Sequence, residues 1–387
     1  MKILHAFSNW KWTGPAEPAV RLAGELLARH EVHFACGACP FPDLENRVER
    51  EARELGLEVL GGLRLKKHFD PVSGARDLAG LTRRLRSADY DVAHCHLLND
   101  HLLVGAAARR AGRRTLVVRT VYGGPDLASR FRTALAFRRL TDGVVATSEA
   151  ALEVVRGRTG VPEERLFVIE GAVDVERFDP ARLLPERASM RREFGFAEDD
   201  VVAGLVARIQ RHRRFDLLLE AFAAARARAP QLRLVLVGRG THQAELVEEP
   251  IRRLGLERCV VLAGYREGAR YDALLSGLDL GLFLVPGSDG SCRAARELAA
   301  AGLALIVSPR PPLPEIVTPG RNGLVVEESV AALAGALVEL ASDRQRLKAL
   351  GEGSRRLAEQ SFSLARQASR IEGIYERLRA LHDGARP

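Results

Sequence analysis

The chain has 387 residues, 47% of them hydrophobic and 28% charged, which is too long for one ordinary core, fits two domains of roughly 150–200 residues, and excludes disordered, collagen-like and coiled-coil classes. Its 58 basic and 50 acidic residues leave a net charge of +8, carried almost wholly by arginine because Lys2, Lys11, Lys66, Lys67 and Lys348 are the only lysines; such a surplus admits an anionic partner and identifies none. No apolar run reaches the ~18–20 residues of a membrane-crossing helix, and MKILHAFSNW lacks the apolar stretch of a signal peptide, so a cytoplasmic protein is expected.

Short apolar runs alternate with helical periodicity, the pattern of strand–helix–strand units and a parallel sheet. Strands are predicted at Lys2–Phe7, Glu31–Ala35, Glu58–Leu60, Asp91–His96, Arg114–Val121 and Gly143–Thr147. Between them fall helices at Pro18–Arg29, Leu44–Leu55, Gly74–Ser87, Asp100–Ala111, Leu127–Leu140 and Glu149–Thr159. Ala172–Arg192, with Pro180 and Pro185, breaks the rhythm and reads as an interdomain linker. The scheme then repeats, with strands at Val201–Ala207, Arg233–Val237, Val260–Ala263, Leu280–Leu284, Ala304–Val307 and Gly323–Val326. Helices are expected at Phe215–Ala229, Gln243–Leu254, Ala269–Leu278 and Cys292–Ala301, and two more close the chain, Val330–Leu340 and Arg344–Leu381, the latter interrupted near Gln360. The expected architecture is α/β, two Rossmann-like doubly wound domains at 1–178 and 190–362 with a terminal helix in 363–387.

Open parallel sheets bind ligands beyond the carboxyl ends of their strands, so two such domains would line a cleft with strand-end loops. The richest of these loops is Val285–Glu297. Gly287 and Gly290 permit close backbone approach, and the amides near Ser291 and Cys292 would open a helix and favour an anion. Asp289 and Glu297 stand eight apart, placing Glu297 about two turns into that helix, where two carboxylates can each accept from a pair of sugar or ribose hydroxyls. The alternative is an Asp289 helix cap with a solvated Glu297. Arg208, with Arg211, Arg213 and Arg214 behind it, ends a strand; clustered guanidiniums there suit a diphosphate, or make a solvated basic turn, the reading favoured for Arg211 and Arg214. Gly238-Arg239-Gly240 and Tyr265-Arg266 also follow strands, as a glycine turn and a neighbour for a nucleotide base or plain surface turns. Gly14, in the first strand-end loop, can let a ligand approach the backbone, or simply form a turn. His94 and His96 share a strand face with His96 nearer the cleft; no third metal ligand has suitable spacing, so no metal is expected. Cys36-Gly-Ala-Cys39 has redox spacing but no second pair, and reads as small residues ending a strand.

Together these residues resemble the glycosyltransferases of family 4, which have the GT-B fold and retain anomeric configuration. The resemblance spans essentially the whole chain and is strongest from Val201 to Val326: Arg208 with Arg213, the acidic-x7-acidic spacing of Asp289 and Glu297, Ala299-Ala-Ala-Gly302, and Leu313-Pro-Glu-Ile-Val317 with Asn322-Gly-Leu324 occur in the family's order. It implies that Glu297 holds the ribose, that Asp289 and the amides of Gly290, Ser291 and Cys292 hold the donor sugar, that Arg208 and Arg213 hold the diphosphate, and that the final helix returns to the first domain. It implies a UDP- or GDP-linked sugar as donor substrate with no further cofactor, and a glycan or lipid-linked acceptor of cell-envelope synthesis. The chain departs from the pattern at Asp289, where the family usually has Glu, at Arg213-Arg214 for Lys-Gly, and at Tyr122, where a histidine often follows the strand; His96 is retained as a site residue beside acceptor or donor. A nucleotide-sugar epimerase of the same fold and a non-catalytic nucleotide-sugar binding protein are the alternatives. Basic residues spread through both halves, with few aromatics among them, argue against nucleic acid. The basic amphipathic stretch Leu127–Leu140 suggests peripheral contact with an anionic membrane, or an ordinary helix with its apolar side on the sheet.

Overall fold

The computed structural model describes residues 1–112, 115–123, 127, 130–287 and 292–384, apart from the side chains of 130–133 and 384. Strands β1 (Lys2–Phe7), β2 (Glu31–Cys36), β3 (Glu58–Val59), β4 (Val92–Cys95), β5 (Leu116–Val121), β6 (Gly143–Ala146) and β7 (Leu166–Val168) form one sheet. Strands β8 (Val201–Val206), β9 (Leu232–Val237), β10 (Val260–Gly264), β11 (Leu280–Phe283), β12 (Ala304–Val307) and β13 (Gly323–Val325) form a second. Their orders are β3-β2-β1-β4-β5-β6-β7 and β10-β9-β8-β11-β12-β13, with the pairings of β1 and β8 to both neighbours parallel. Each sheet starts near its middle and winds outward in both directions. The switch points therefore lie between β1 and β4 and between β8 and β11, where diverging loops leave room for ligands. The chain divides into two units, one of Met1–Gly171 with the last helix Leu364–Gly384, the other of Ala172–Gly287 and Cys292–Ser363.

In the first unit both faces of the sheet are covered, which is why its strands read as nearly continuous apolar runs. Ile3 and Phe7 of β1 join one core, Leu4 and Ala6 the opposite one, as strand alternation requires. The last helix buries Ala368, Ile371, Ile374, Tyr375 and Leu378, a three-and-four-residue spacing that makes one stripe, in the core shared with Ala19, Ala23 and Leu26. Gly143 has no side chain because Leu378 fills the space a Cβ would take. The helix expected over Leu127–Leu140 runs Arg130–Leu140 and buries Ala136 and Phe137, the ring of Phe137 standing edge-on 4.8 Å from His101. β7, with only three residues, was too short to carry a strand pattern of its own.

The second unit differs from expectation at its start. The segment read as a linker holds a helix, Pro180–Glu193, because Asp179 caps it through Ala181 N (2.7 Å) and Pro180 occupies the first turn, where a missing N–H costs nothing. Pro185 inside the helix forgoes one bond, while Leu183 and Met190 anchor the face. Arg187 and Arg191 both reach Asp279, each at 2.6 Å. Val173, Val175 and Phe178 belong to this unit's core, so the first unit's opening segment ends at Gly171 rather than at 178. Val201, Ala203 and Leu205 of β8 point into one core and Val202 into the other. No helix among the described residues is long and apolar enough to cross a membrane.

Candidate active site

In the second unit, the switch-point strands carry the arginines. Beyond β8 the chain is laced to the end of β9, with Ala207 N donating to Val237 O (3.0 Å) and Ile209 N to Arg239 O (3.1 Å). Arg208 lies between these two bonds and its side chain is exposed. A short turn, Arg211–Arg213, follows; Arg213 donates from Nη1 to the carbonyl oxygen of Val285 at 2.6 Å, which fixes its guanidinium at the end of β11. Thus the β8 loop is tied to the start of the 285–297 segment. Arg211 turns outward to Glu245, as a solvated turn would.

Arg214 does not behave as a solvated turn residue. Its φ of 57° is left-handed, and its guanidinium pairs with Glu328 (3.0 Å) and Asp216 (3.4 Å). Arg310, in the loop after β12, sends Nη2 to the same Glu328 carboxylate at 2.6 Å. Glu328, past the end of β13, is held below the usual carboxylate range by its hydrogen bond to Arg310 and then by the charges of Arg310 and Arg214, against burial. The imidazole of His212 is pushed down by burial and by the charges of Arg213 and Arg310, so Arg310 sits close to the β8 turn. Sequence reasoning missed Arg310 and Glu328; only the sheet order brings their loops beside that of β8.

Asp289, Gly290 and Ser291 lie outside the described residues. Cys292 is buried at φ 45°, a left-handed conformation uncommon in a non-glycine residue, and it opens the helix Arg293–Ala300 without a side-chain cap. Glu297 is accordingly one turn into the helix, not two, because the helix starts only at Arg293. Nor is Glu297 solvated. It is 6% exposed, its Oε2 accepts from the hydroxyl of Tyr271 at 2.6 Å, and Arg293 lies 3.3 Å from Oε1. Burial, then the charge of Glu297, pushes the Tyr271 phenol far up, so the hydroxyl remains a donor. Tyr271 is a third residue the sequence did not reveal, since nothing local couples it to Glu297.

Close backbone packing against Ala207 and Ile209 by itself requires glycine at positions 238 and 240. Gly238 has φ 146°, a Cβ there would strike the Ala207 carbonyl oxygen, and one at Gly240 would strike that of Ile209. Tyr265 is 53% exposed, with the Arg239 guanidinium 4.7 Å over its ring, and offers a flat face at the ends of β9 and β10. Arg266 is occupied elsewhere: Nε donates to Ala263 O (2.9 Å), Nη2 to Glu193 (3.2 Å), and the guanidinium covers Phe194. Its expected place beside a base is therefore not supported.

In the first unit, Gly14 sits in the turn before the helix Ala16–Leu27, which starts without a side-chain cap. His96 is fully buried, with Nε2 3.0 Å from His5 Nδ1 and Nδ1 2.8 Å from the hydroxyl of Tyr122. It has no surface to offer a substrate, and the side chain it supports is Tyr122, just past β5. His5 supplies the third imidazole that spacing alone could not find, and His5, His94 and His96 place ring nitrogens within 4.8 Å of one another. They do not fit a metal as they stand. The rings of His94 and His96 are stacked at 4.7 Å and 10°, and a metal must lie in the plane of each ring that binds it. Both nitrogens of His94 are also engaged, with Tyr375 (2.5 Å) and Thr120 (2.6 Å). Asp100, beside them, accepts from the backbone N–H groups of Ser8 (2.7 Å), His96 (3.0 Å) and Leu97 (2.9 Å) and joins β1 to β4 at the switch point. Burial pushes the Cys36 thiol up to about 12, which is no redox thiol at neutral pH.

Two family profiles match this chain: glycosyl transferases group 1 over residues 186–357, and glycosyltransferase family 4 over 14–177. The D-inositol 3-phosphate glycosyltransferase of Streptomyces bingchenggensis is 29% identical over 96% of this chain and 81% of its own length. The GDP-mannose-dependent alpha-(1-6)-phosphatidylinositol monomannoside mannosyltransferase of Mycolicibacterium smegmatis is 29% identical over 70% of this chain and 72% of its own length. Among solved structures, HepE of Anabaena in complex with UDP and glucose superposes with a TM-score of 0.77 at 20% identity, covering 96% of this chain and 98% of HepE. A glycosyltransferase from Rickettsia africae gives 0.81 at 16% identity, covering 97% and 98%. These likenesses show the GT-B fold, two Rossmann-like domains with parallel sheets of seven and six strands.

Proposed function

From its membership of glycosyltransferase family 4, to which this chain belongs, we propose that it moves a hexose from a UDP- or GDP-linked sugar to a hydroxyl acceptor, with retention at the anomeric carbon. The observation that carries this reading is the Arg213–Val285 bond, which holds a guanidinium where the β8 and β11 loops converge. As the anomeric bond breaks, the leaving diphosphate gains negative charge while the sugar becomes oxocarbenium-like. Cations already in place stabilise that charge without reorganising during the reaction. Arg208 and Arg213 make this contribution, and Glu297, fixed by Tyr271, accepts from the ribose hydroxyls. Relatives named for GDP-mannose and for inositol phosphate or phosphatidylinositol acceptors favour a phosphorylated polyol or glycolipid acceptor, taken by the first unit.

The test is release of nucleoside diphosphate from a panel of UDP- and GDP-sugars, with and without such acceptors. Replacing Arg208 or Arg213 by Ala should cut turnover roughly a hundredfold or more, the loss of a contact worth about 2.7–4 kcal/mol in the barrier. Near-normal turnover in both variants would remove the mechanism; turnover of no donor at all would remove the function.

A further inference from the structure

The ion-pair cluster behind the β8 turn has a composition that the reaction does not require. Arg214, Arg310 and Glu328 come from loops after β8, β12 and β13, all at the carboxyl end of the second sheet. Glu328 Oε2 lies 2.6 Å from Arg310 Nη2 and 3.0 Å from Arg214 Nη1, so one carboxylate oxygen is shared by two guanidiniums. Arg310 keeps 41% of its side chain exposed while Glu328 keeps 18%, so the arginine can swing on its stem more freely than the carboxylate beneath it. Arg214 holds a left-handed backbone, which costs a non-glycine residue free energy and persists where surrounding contacts demand it. Its guanidinium pairs with Glu328 and with Asp216.

We propose that Glu328 is an internal stand-in for the donor's diphosphate: in the empty protein it holds Arg310 and Arg214, and on binding Arg310 transfers its bidentate grip to the phosphate oxygens while Arg214 remains with Glu328. The exchange breaks and forms no covalent bond. It replaces a carboxylate–guanidinium pair by a phosphate–guanidinium pair of the same fork geometry, a contact for which arginine is suited. Because Arg214 stays behind, Glu328 keeps a counter-ion when Arg310 leaves, and its partly exposed carboxylate is not left unpaired. Arg310 is thereby a further diphosphate ligand, and Glu328 a residue that lowers donor affinity in return for keeping the guanidiniums ordered. The inference rests on the reading of the second unit as a nucleotide-sugar site.

The experiment is calorimetric titration of the full chain with UDP, GDP and ADP, and with the matching nucleosides. Arg310→Ala should weaken binding of the preferred diphosphate by about tenfold or more and leave nucleoside binding unchanged. Glu328→Gln should tighten diphosphate binding several-fold, since the competing charge is gone, while its melting temperature changes little or falls. That opposite sign is something a merely structural role would not produce. Unchanged diphosphate affinity in Arg310→Ala, or weakening in Glu328→Gln comparable to that in Arg310→Ala, overturns the proposal while leaving the nucleotide-sugar function intact. Failure of the unaltered chain to bind any of the three diphosphates removes both.

Discussion

At the scale of single residues, the second unit's site is governed by partners that convert general types into specific roles. Glu297 would be an unremarkable helix carboxylate without Tyr271, whose hydroxyl at 2.6 Å fixes one oxygen of a group that is 6% exposed. Removing that donor leaves a buried anion with one bond fewer, a loss of about 1–3 kcal/mol. Tyr271→Phe should therefore lower the urea midpoint of the second unit and raise the donor KM. A variant with unchanged midpoint and KM would show that the bond does neither. Arg266, read from the sequence as a neighbour for a base, is committed to Glu193 and Phe194, and no local signal distinguishes it from Tyr265 one position earlier.

At the scale of elements, the strand-end loops are held in place by backbone contact. The Gly238–Gly240 turn at the end of β9 lies against Ala207–Ile209, the stretch that carries Arg208. A methyl group at Gly240 would meet the Ile209 carbonyl oxygen, so the two loops must move apart. Gly240→Ala should destabilise the fold by about 1–3 kcal/mol, the usual cost of overpacking, and weaken nucleoside diphosphate binding through displaced Arg208. Thermal melting and titration together check this, and a variant matching the parent in both would refute the packing argument. The helix Pro180–Glu193 teaches the same lesson from the other direction. Two prolines suggested a linker, yet Pro180 stands at the start of the helix, and the segment's arginines found Asp279.

At the scale of the whole molecule, four buried histidines, His5, His94, His96 and His101, set the response to acid. Burial lowers all four, His5 and His101 to about 3 and the others well below the ordinary value. The unfolded chain takes up protons near pH 6.5 that the folded chain refuses, so this stability is present above about 6.5 and is lost as the pH falls toward 3, by up to roughly 1.4 kcal/mol per pH unit for each histidine. Asp100, raised by burial to about 6, works oppositely: its contribution is full below the unfolded carboxylate value and lost as the pH rises through 6. One opposing group against four leaves the histidines dominant. The urea midpoint of the first unit should fall steeply from pH 7 to pH 5, and a flat profile would contradict their burial as neutral groups. The alternation of strand and helix, the two doubly wound sheets and the position of Arg208 and Arg213 just past a strand end were legible in the amino-acid order, because periodicity and strand ends are local properties. His5 beside His96, Tyr271 on Glu297, and Arg310 with Arg214 on Glu328 were decided only by the tertiary structure, because sheet order brings together loops that the chain keeps far apart, and no local pattern records which strand will be the neighbour.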